Sequence, residues 1–245
     1  MAIFSVTANS LRRGVAPALT ALKRMNVHSV LAFAGMAGPL VLAITDFTAA
    51  VTSPGYSLIE NSISSLALTS MGWMQTIGFL AIGLLVEIFT AGLLNNMKRK
   101  RGFHLSIALL VFFGFAMLLI GAFRTDPVGA ERTIEGNIHG MTATAAFWMF
   151  PAALLAMAPS IKNDPDWKTI LPYTIVTAVL AAAFVIAIGL LPDDTGWFGL
   201  AERILVANMI IWVEVAAVNL LLLSLKHGRP APAEEREPEP DRQVY

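Results

Sequence analysis

Long apolar stretches alternate with short polar segments along the chain. A helix needs about 20 mostly apolar residues to cross about 30 Å of hydrocarbon, and six stretches have that length. They predict an all-α fold, a polytopic membrane bundle with six transmembrane helices. The predicted spans are residues 29–47, 73–95, 104–123, 137–158, 170–191 and 203–225.

The two ends of the chain differ in character. Residues 1–27 combine four cations with apolar positions at roughly helical spacing, and this pattern predicts a basic segment at the membrane interface. Residues 227–245 alternate prolines with charged residues, so we expect a disordered, Pro/Glu-rich cytoplasmic tail, because such a sequence has too little apolar surface to bury. The six-helix transmembrane domain is then residues 28–226.

Composition agrees with insertion into a lipid bilayer. The chain is 56% hydrophobic and 14% charged, with a mean hydropathy of +0.66, whereas soluble domains are usually about 45–50% apolar. The net charge is zero and the cations cluster beside the apolar stretches, which argues against a nucleic-acid partner. Cysteine is absent, which excludes disulfides, thiolate metal sites and a cysteine nucleophile. We expect no cofactor.

The distribution of lysine and arginine predicts the orientation in the membrane. Between positions 12 and 229, twelve of these residues fall in segments on the side of the two termini, and three fall on the other side, Arg124, Arg132 and Arg203. Because cytoplasmic loops carry an excess of Lys and Arg, we expect both termini in the cytoplasm. The protein would be a multi-pass protein of the cytoplasmic membrane.

The first outer segment contains a pattern typical of a helix start. Ser57 and Glu60 have the spacing of a capping box, in which a hydroxyl and a carboxylate each accept from a free backbone N–H. Ile59, Ile63 and Leu66 then share one helical face. We expect a short amphipathic helix in this loop.

Two carboxyl residues, Glu87 and Glu214, and two asparagines, Asn208 and Asn219, stand out well inside the predicted spans. A charge at this depth costs at least about 2.5 kcal/mol unless it is neutralised or paired, so both carboxyl groups are expected to face protein. They predict either a proton or cation relay, or neutral carboxyls that are hydrogen-bonded to a neighbouring helix. We favour the second interpretation, because burial raises the pKa of a carboxyl group.

Short motifs lie at the outer ends of the spans: Pro54-Gly55-Tyr56 with Asn61-x-Ile63-Ser64-x-Leu66, Gly121-Ala-Phe123-x-x-Asp126, Ile138-His139-Gly140 and Gly199-Leu200-Ala-Glu202-Arg203-Ile204. Together, over residues 30–225, they resemble the DUF998 family of prokaryotic six-helix integral membrane proteins. The resemblance implies a six-helix fold and no established activity. It also implies that seven residues form one outward-facing, ligand-binding cluster: Tyr56, Asn61, Ser64, Asp126, His139, Glu202 and Arg203.

Several of these residues have alternative interpretations. Ser62 or Ser64 as nucleophile, His139 as base and Asp126 as its orienting group would make a hydrolase. Asp126, His139 and Glu202 would supply metal ligands, although three histidines around zinc are not available. The structural interpretation is that Asp126 caps a turn and His139 bonds a carboxylate or a backbone carbonyl. In the same interpretation, Glu202 and Arg203 pair with Arg124 or Asp126.

Taken together, the sequence predicts an outward-facing polar pocket that binds a lipid-like amphiphile or a partner membrane protein. Whether the protein is an enzyme is left open, with the membrane-embedded hydrolase as the alternative. A second alternative is an accessory subunit of a larger membrane complex, which predicts an exposed stripe among Trp148, Trp197 and Trp212.

Overall fold

The structure is a computed structural model that describes residues 26–190 and 195–227. This part of the chain is built from helices, with two short 3-10 segments, Ile63–Leu68 and Lys168–Ile170. The α-helices are α1 Val27–Thr52, α2 Gly72–Asn96, α3 Phe103–Ala122, α4 Ile134–Lys162, α5 Leu171–Leu190 and α6 Phe198–His227. The predicted basic segment 1–27 and tail 227–245 lie, except for residues 26, 27 and 227, outside the described residues.

All six predicted spans coincide with helices that are long and apolar enough to cross a membrane. The protein is a multi-pass integral membrane protein. Several helices are longer than the predicted spans, and α4 begins at residue 134 and ends at residue 162. The apolar pattern marks only the part of each helix that crosses the hydrocarbon of the membrane. Backbone hydrogen bonding continues beyond it until a cap or a break ends the helix. At α4 the cap is Thr133, whose side chain accepts from the Gly136 N–H.

The six helices form a ring. Each helix packs on the next in sequence, and α6 closes the ring by packing on α1. The large buried side chains that fill it include Phe89, Phe150 and Trp212, and the rings of Phe150 and Trp212 meet edge to face. Close approach between α2 and α3 depends on glycine, because a Cβ on Gly83 would lie 2.7 Å from the Gly114 carbonyl oxygen. This contact explains why a small residue is needed there.

The connecting segments form two distinct ends. At the first, which we call the basic end, the turn that carries Lys98 to Arg101 contacts the α4–α5 connection. The Lys98 N–H donates to Asp164 Oδ2 at 2.8 Å, and the Trp167 indole N–H donates to the Asn96 carbonyl at 3.1 Å. At the second, the acidic end, are residues 53–71, residues 123–133 and the start of α6. Asp126 is separated from the basic turn by the whole of α3, about 30 Å of helix.

Candidate functional site

Arg203, in the first turns of α6, ties the first acidic-end segment to the bundle. Its Nη1 donates to the backbone carbonyls of Leu58, Asn61 and Gly199 at 3.0, 2.8 and 3.2 Å. Its Nη2 donates to the Tyr56 hydroxyl at 2.5 Å and lies 3.5 Å from Asp46 Oδ1. The guanidinium also lies 5.5 Å from the centre of the Tyr56 ring. One side chain therefore fixes a loop that has no regular secondary structure over most of its length.

Tyr56 extends this clamp. Its hydroxyl donates to the Ser62 carbonyl at 2.6 Å, and it lies 3.2 Å from the Asn61 carbonyl. Burial raises the pKa of Tyr56 above its ordinary value, against the opposing effect of Arg203. The phenol therefore stays protonated and keeps its role as a donor.

Backbone contact completes the attachment of this segment to α6. The Leu200 N–H donates to the Ile59 carbonyl at 2.9 Å. A Cβ on Gly199 would overlap the backbone of Asn61, so only glycine allows the two chains to lie this close.

The short helix in this segment begins later than the sequence pattern suggests. It is a 3-10 helix, Ile63–Leu68, and Ser62 Oγ accepts from the Ser65 N–H at its start. Ser57 Oγ accepts from the Glu60 N–H at 3.3 Å, as in a capping box. The return bond comes from a different residue, however, because Asn61 Oδ1 rather than the Glu60 carboxylate accepts from the Ser57 N–H.

Asp126 closes the connection between α3 and α4. Its Oδ2 accepts from the Thr133 N–H at 2.9 Å and its Oδ1 accepts from the Thr133 hydroxyl at 2.8 Å. These two hydrogen bonds are the main cause of the lowered pKa of Asp126. The carboxylate packs so closely over Gly136 that any larger side chain there would overlap it.

His139 lies one turn further along α4 and is only 4% exposed. Its Nδ1 lies 2.8 Å from the Phe123 carbonyl oxygen, so an Nδ1–H tautomer would donate to it. Its Nε2 has no hydrogen-bond partner among residues 26–190 and 195–227. The carbonyl contact agrees with the structural interpretation of His139.

A cavity of about 950 Å³ lies between these segments and the adjoining ends of α4 and α5. We call it the acidic-end cavity. Its polar lining includes Glu60, Asn61, Ser62, Ser64, Asp126, Arg132, His139 and Glu202. Its apolar lining includes Phe147, Trp148, Val185, Ile186, Ile188, Leu190 and Phe198. The lining thus combines hydrogen-bonding groups with hydrocarbon.

A second void, of about 30 Å³, lies next to the cavity among core side chains such as Phe113, Met117 and Met209. We call it the inner void. Glu202, Ser64 and Phe147 line both spaces. Glu202 is 7% exposed, and its Oε2 accepts from the Ile63 N–H at 2.6 Å. A buried carboxylate therefore stands where the polar cavity meets the apolar core.

The second half of α5 leaves the cavity open on its apolar side. The buried residues of α5 are Thr174, Thr177, Ala178 and Ala181, all within its first eleven residues. From residue 182 to residue 190 none is buried, and Ile186 and Leu190 are 53% and 80% exposed. The cavity wall is continuous with surface that faces lipid in a membrane.

The comparison with protein families shows which family this chain belongs to. The model of the family described as proteins of unknown function, DUF998, matches residues 36–219. The chain belongs to the DUF998 family. Neither the curated proteins nor the solved structures contain a match. The DUF998 match covers α2 to α5 in full and most of α1 and α6.

The seven residues of the expected cluster divide into two groups in this DUF998 protein. Five line the acidic-end cavity: Asn61, Ser64, Asp126, His139 and Glu202. The other two, Tyr56 and Arg203, are not in its lining, because their polar groups are bound to the first segment. The expected pairing of Arg203 with Asp126 is wrong, since Arg203 pairs with Asp46. Nothing in the local sequence singles out Asp46, which lies 157 residues away in the chain.

In this DUF998 protein, the catalytic and metal-binding candidates make no hydrogen bond to one another within the described residues. Both carboxylate oxygens of Asp126 accept hydrogen bonds from Thr133, and neither is bonded to His139. Ser62 Oγ serves as a helix cap, whereas Ser64 lines the cavity and the inner void. In the part of the chain that the structure describes, no three His, Asp or Glu side chains are grouped so that they could hold a metal ion.

The polar residues inside the membrane have separate surroundings. Asn208 donates to the Thr177 carbonyl at 3.1 Å, and Asn219 donates to the Asp166 carbonyl at 3.2 Å. Glu87 packs against Gly114 of α3. Glu214 is only partly buried and its Oε2 is buried without a hydrogen-bond partner. Neither carboxyl group lines the cavity or the inner void, so these spaces do not connect the two groups into a relay.

The three tryptophans do not form a common exposed stripe. Trp148 and Trp197 are 45% and 51% exposed, but Trp212 is 1% exposed and donates to Thr174 Oγ1 at 3.0 Å. The stripe expected for an accessory subunit therefore lacks one of its members.

Proposed function

We propose that this protein binds a lipid-like amphiphile in the acidic-end cavity, on the outer side of a prokaryotic cytoplasmic membrane. The observation that carries the proposal is the mixed polar and apolar lining of the cavity. The polar lining comes mostly from the connecting segments together with His139 and Glu202, whereas most of the apolar lining comes from α4 and α5. Its volume of about 950 Å³ is at the upper end of the usual range for ligand sites.

The polar lining supplies hydrogen-bonding atoms that are not bonded to other protein groups in the described ranges. His139 Nε2, the Ser64 hydroxyl and Glu202 Oε1 have no hydrogen-bond partner in the described ranges, although each residue lines the cavity. Arg132 and Glu60 are exposed residues of the same lining. A headgroup of mixed polarity would find both donors and acceptors there.

The apolar side supplies a route for a hydrocarbon chain. Because none of residues 182–190 of α5 is buried, a chain lying along Ile186 and Leu190 would remain in contact with the bilayer. The inner void is too small for such a chain, at about 30 Å³, and would take at most a small group. Entry from the side therefore fits the geometry better than insertion into the core.

The cavity favours an amphiphile over a partner protein, because a partner usually binds a broad, flat surface whereas a small molecule needs a concave one. The hydrogen bonds of Asp126 favour binding over turnover. A catalytic aspartate would orient His139, and here the carboxylate holds the Thr133 cap.

The experiment is to purify the protein in a mild neutral detergent, extract bound lipid and quantify it by mass spectrometry. Ala143 lines both spaces and lies on α4, so Ala143→Phe would fill their junction. Ala152 lies on α4 with its side chain exposed and lines neither space, so Ala152→Phe is the matched control.

We expect the wild-type protein and Ala152→Phe to retain stoichiometric amphiphile and Ala143→Phe to lose most of it. The proposal fails if the wild-type protein retains no more lipid than an unrelated six-helix protein purified in the same way. It also fails if both variants retain the same amount as the wild type.

A further inference from the structure

Glu202 is the most deeply buried acidic residue of the cavity lining. It is 7% exposed, while Arg132 and Glu60 of the same lining are exposed and Asp126 is partly exposed. It lies in the first turns of α6, and its Oε2 is fixed by the Ile63 N–H at 2.6 Å. The other oxygen, Oε1, is left without a protein partner in the described ranges. A ligand that reaches the bottom of the cavity would therefore meet a fixed acceptor.

Within the described residues, the neighbouring Arg203 makes no hydrogen bond or ion pair to this carboxyl group. Arg203 directs its Nη1 and Nη2 donors to three carbonyls, to Tyr56 and to Asp46, and its Nε is buried without a partner there. Its pair with Asp46 is the single ion pair found within residues 26–190 and 195–227. Because a carboxylate beside apolar core is costly unless it is paired, a positive group from a ligand would gain more at this position than in water.

Aromatic side chains line the same cavity. Phe147 lines the cavity and the inner void together with Glu202, and Trp148 and Phe198 line the cavity. The faces of aromatic rings attract ammonium groups within about 6 Å of the ring centre. A carboxylate together with aromatic rings is a recognised combination for binding ammonium, and it would repel a phosphate or sulfate.

We infer that the bound amphiphile carries an ammonium group and that Glu202 is the residue that selects it. This inference rests on the proposed function. The ammonium donates to Glu202 Oε1 and contacts Phe147, while the hydrocarbon chain lies along α4 and α5. Two sources share this chemistry, a membrane aminolipid and a free long-chain amine.

The test measures saturable binding of radiolabelled dodecylammonium and of neutral dodecanol to the purified protein in a neutral maltoside detergent. The two probes have the same hydrocarbon chain, so the ratio of their affinities reports only the contribution of the headgroup. The wild-type protein should bind dodecylammonium at least about tenfold more tightly, because a charge-assisted hydrogen bond contributes about that factor or more. In Glu202→Gln the ratio should fall close to one, since the amide oxygen can still accept from the Ile63 N–H while the charge is lost.

Two further variants accompany Glu202→Gln. The first tests the same site at another residue, in case Glu202→Gln does not fold, and the second is a control. Phe147→Leu keeps an apolar side chain but removes the ring, and it should reduce the ratio several-fold. Glu214→Gln removes a carboxyl group that lines neither space, and it should leave the ratio unchanged. The lipid extract of the wild-type protein distinguishes the sources, because enrichment in aminolipid identifies a lipid and its absence identifies a free amine.

Equal binding of the two probes by the wild-type protein overturns the inference while leaving the proposed function intact. Retention of a predominantly anionic lipid without an amine does the same. If neither probe binds saturably and no lipid is retained, the proposed function itself fails.

Discussion

At the scale of single residues, two charged side chains organise the connecting segments of the acidic end. Arg203 satisfies backbone carbonyls that lie outside regular secondary structure, and Asp126 satisfies the N–H and the hydroxyl of the residue that caps α4. Both roles are structural, and both leave the cavity lining to other residues. The chemistry of the cavity therefore depends on how firmly these two residues hold the loops.

Replacing Arg203 by Lys should destabilise the protein by roughly 2–4 kcal/mol. A lysine ammonium cannot reproduce the planar fork that reaches three carbonyls, the Tyr56 hydroxyl and Asp46 at once. Thermal unfolding in detergent measures the change, and Arg124→Lys, at an exposed position near the end of α3, is the control. Equal unfolding temperatures for the two variants would contradict this account of Arg203.

The contribution of Asp126 should depend on pH. Its folded-state pKa is lowered by the hydrogen bonds from Thr133, so its stabilising effect is present above the unfolded-state value and is lost as pH falls through the folded-state value. Asp126→Asn should therefore be less stable than the wild type near neutral pH, and the difference should narrow as pH falls below about 4. Unfolding temperatures measured across this range test the sign.

Glu131→Gln, an exposed carboxyl residue of the same connection, serves as the control for general charge effects. A difference between wild type and Asp126→Asn that stays constant down to about pH 3 would mean that the hydrogen bonds of Asp126 do not stabilise the fold.

At the scale of elements, the start of α6 and the first segment behave as one unit. They are joined by the Leu200 to Ile59 backbone hydrogen bond, by Arg203 and by the close contact at Gly199. Glu202, which accepts from the Ile63 N–H, belongs to the same unit. The position of the cavity carboxylate is therefore set by the packing of a loop on a helix end.

Gly199→Ala should separate these two elements and destabilise the protein by about 1–3 kcal/mol, because the new methyl group would meet backbone atoms of Asn61 that cannot rotate away. Gly196→Ala, three residues earlier and in open space, should be close to neutral. Thermal unfolding measures the first effect, and hydrogen exchange at residues 59–65 should rise only in Gly199→Ala. Similar behaviour of the two variants would show that the close contact is unimportant.

The sequence predicts the helices better than it predicts these contacts. Each transmembrane helix is set by a local property, about 20 apolar residues in a row, and all six are found. Short motifs identify the cluster residues, but they do not predict which of these residues line the cavity and which hold the loop in place. Asp46 and Arg203 meet across 157 residues of chain, and Thr133 gains its partner Asp126 only when the α3–α4 connection folds back. Such contacts depend on the packing of helices, which periodicity does not encode.

At the scale of the whole molecule, the ring of helices has one end that carries the Lys98–Arg101 turn and another that carries the cavity. The ring is packed less completely beside the second half of α5, and the cavity lies there. An amphiphile that enters from the bilayer would pass along this side. Which leaflet it comes from depends on which end of the ring faces the cytoplasm.

The distribution of cations predicts that the cavity opens toward the outer leaflet. The chain has no cysteine, so single cysteines can report on each end without background. Val128→Cys places a thiol at a position that is 78% exposed at the acidic end, and Thr169→Cys places one at an exposed position of the basic end. Neither substitution changes the charge of a loop, so neither should disturb the orientation. In intact cells, a membrane-impermeant maleimide should label Val128→Cys, and it should label Thr169→Cys only after the membrane is permeabilised. The reverse pattern would put the cavity on the cytoplasmic side, and the amphiphile would then have to come from the inner leaflet, where the same ammonium-binding chemistry would select among a different set of lipids.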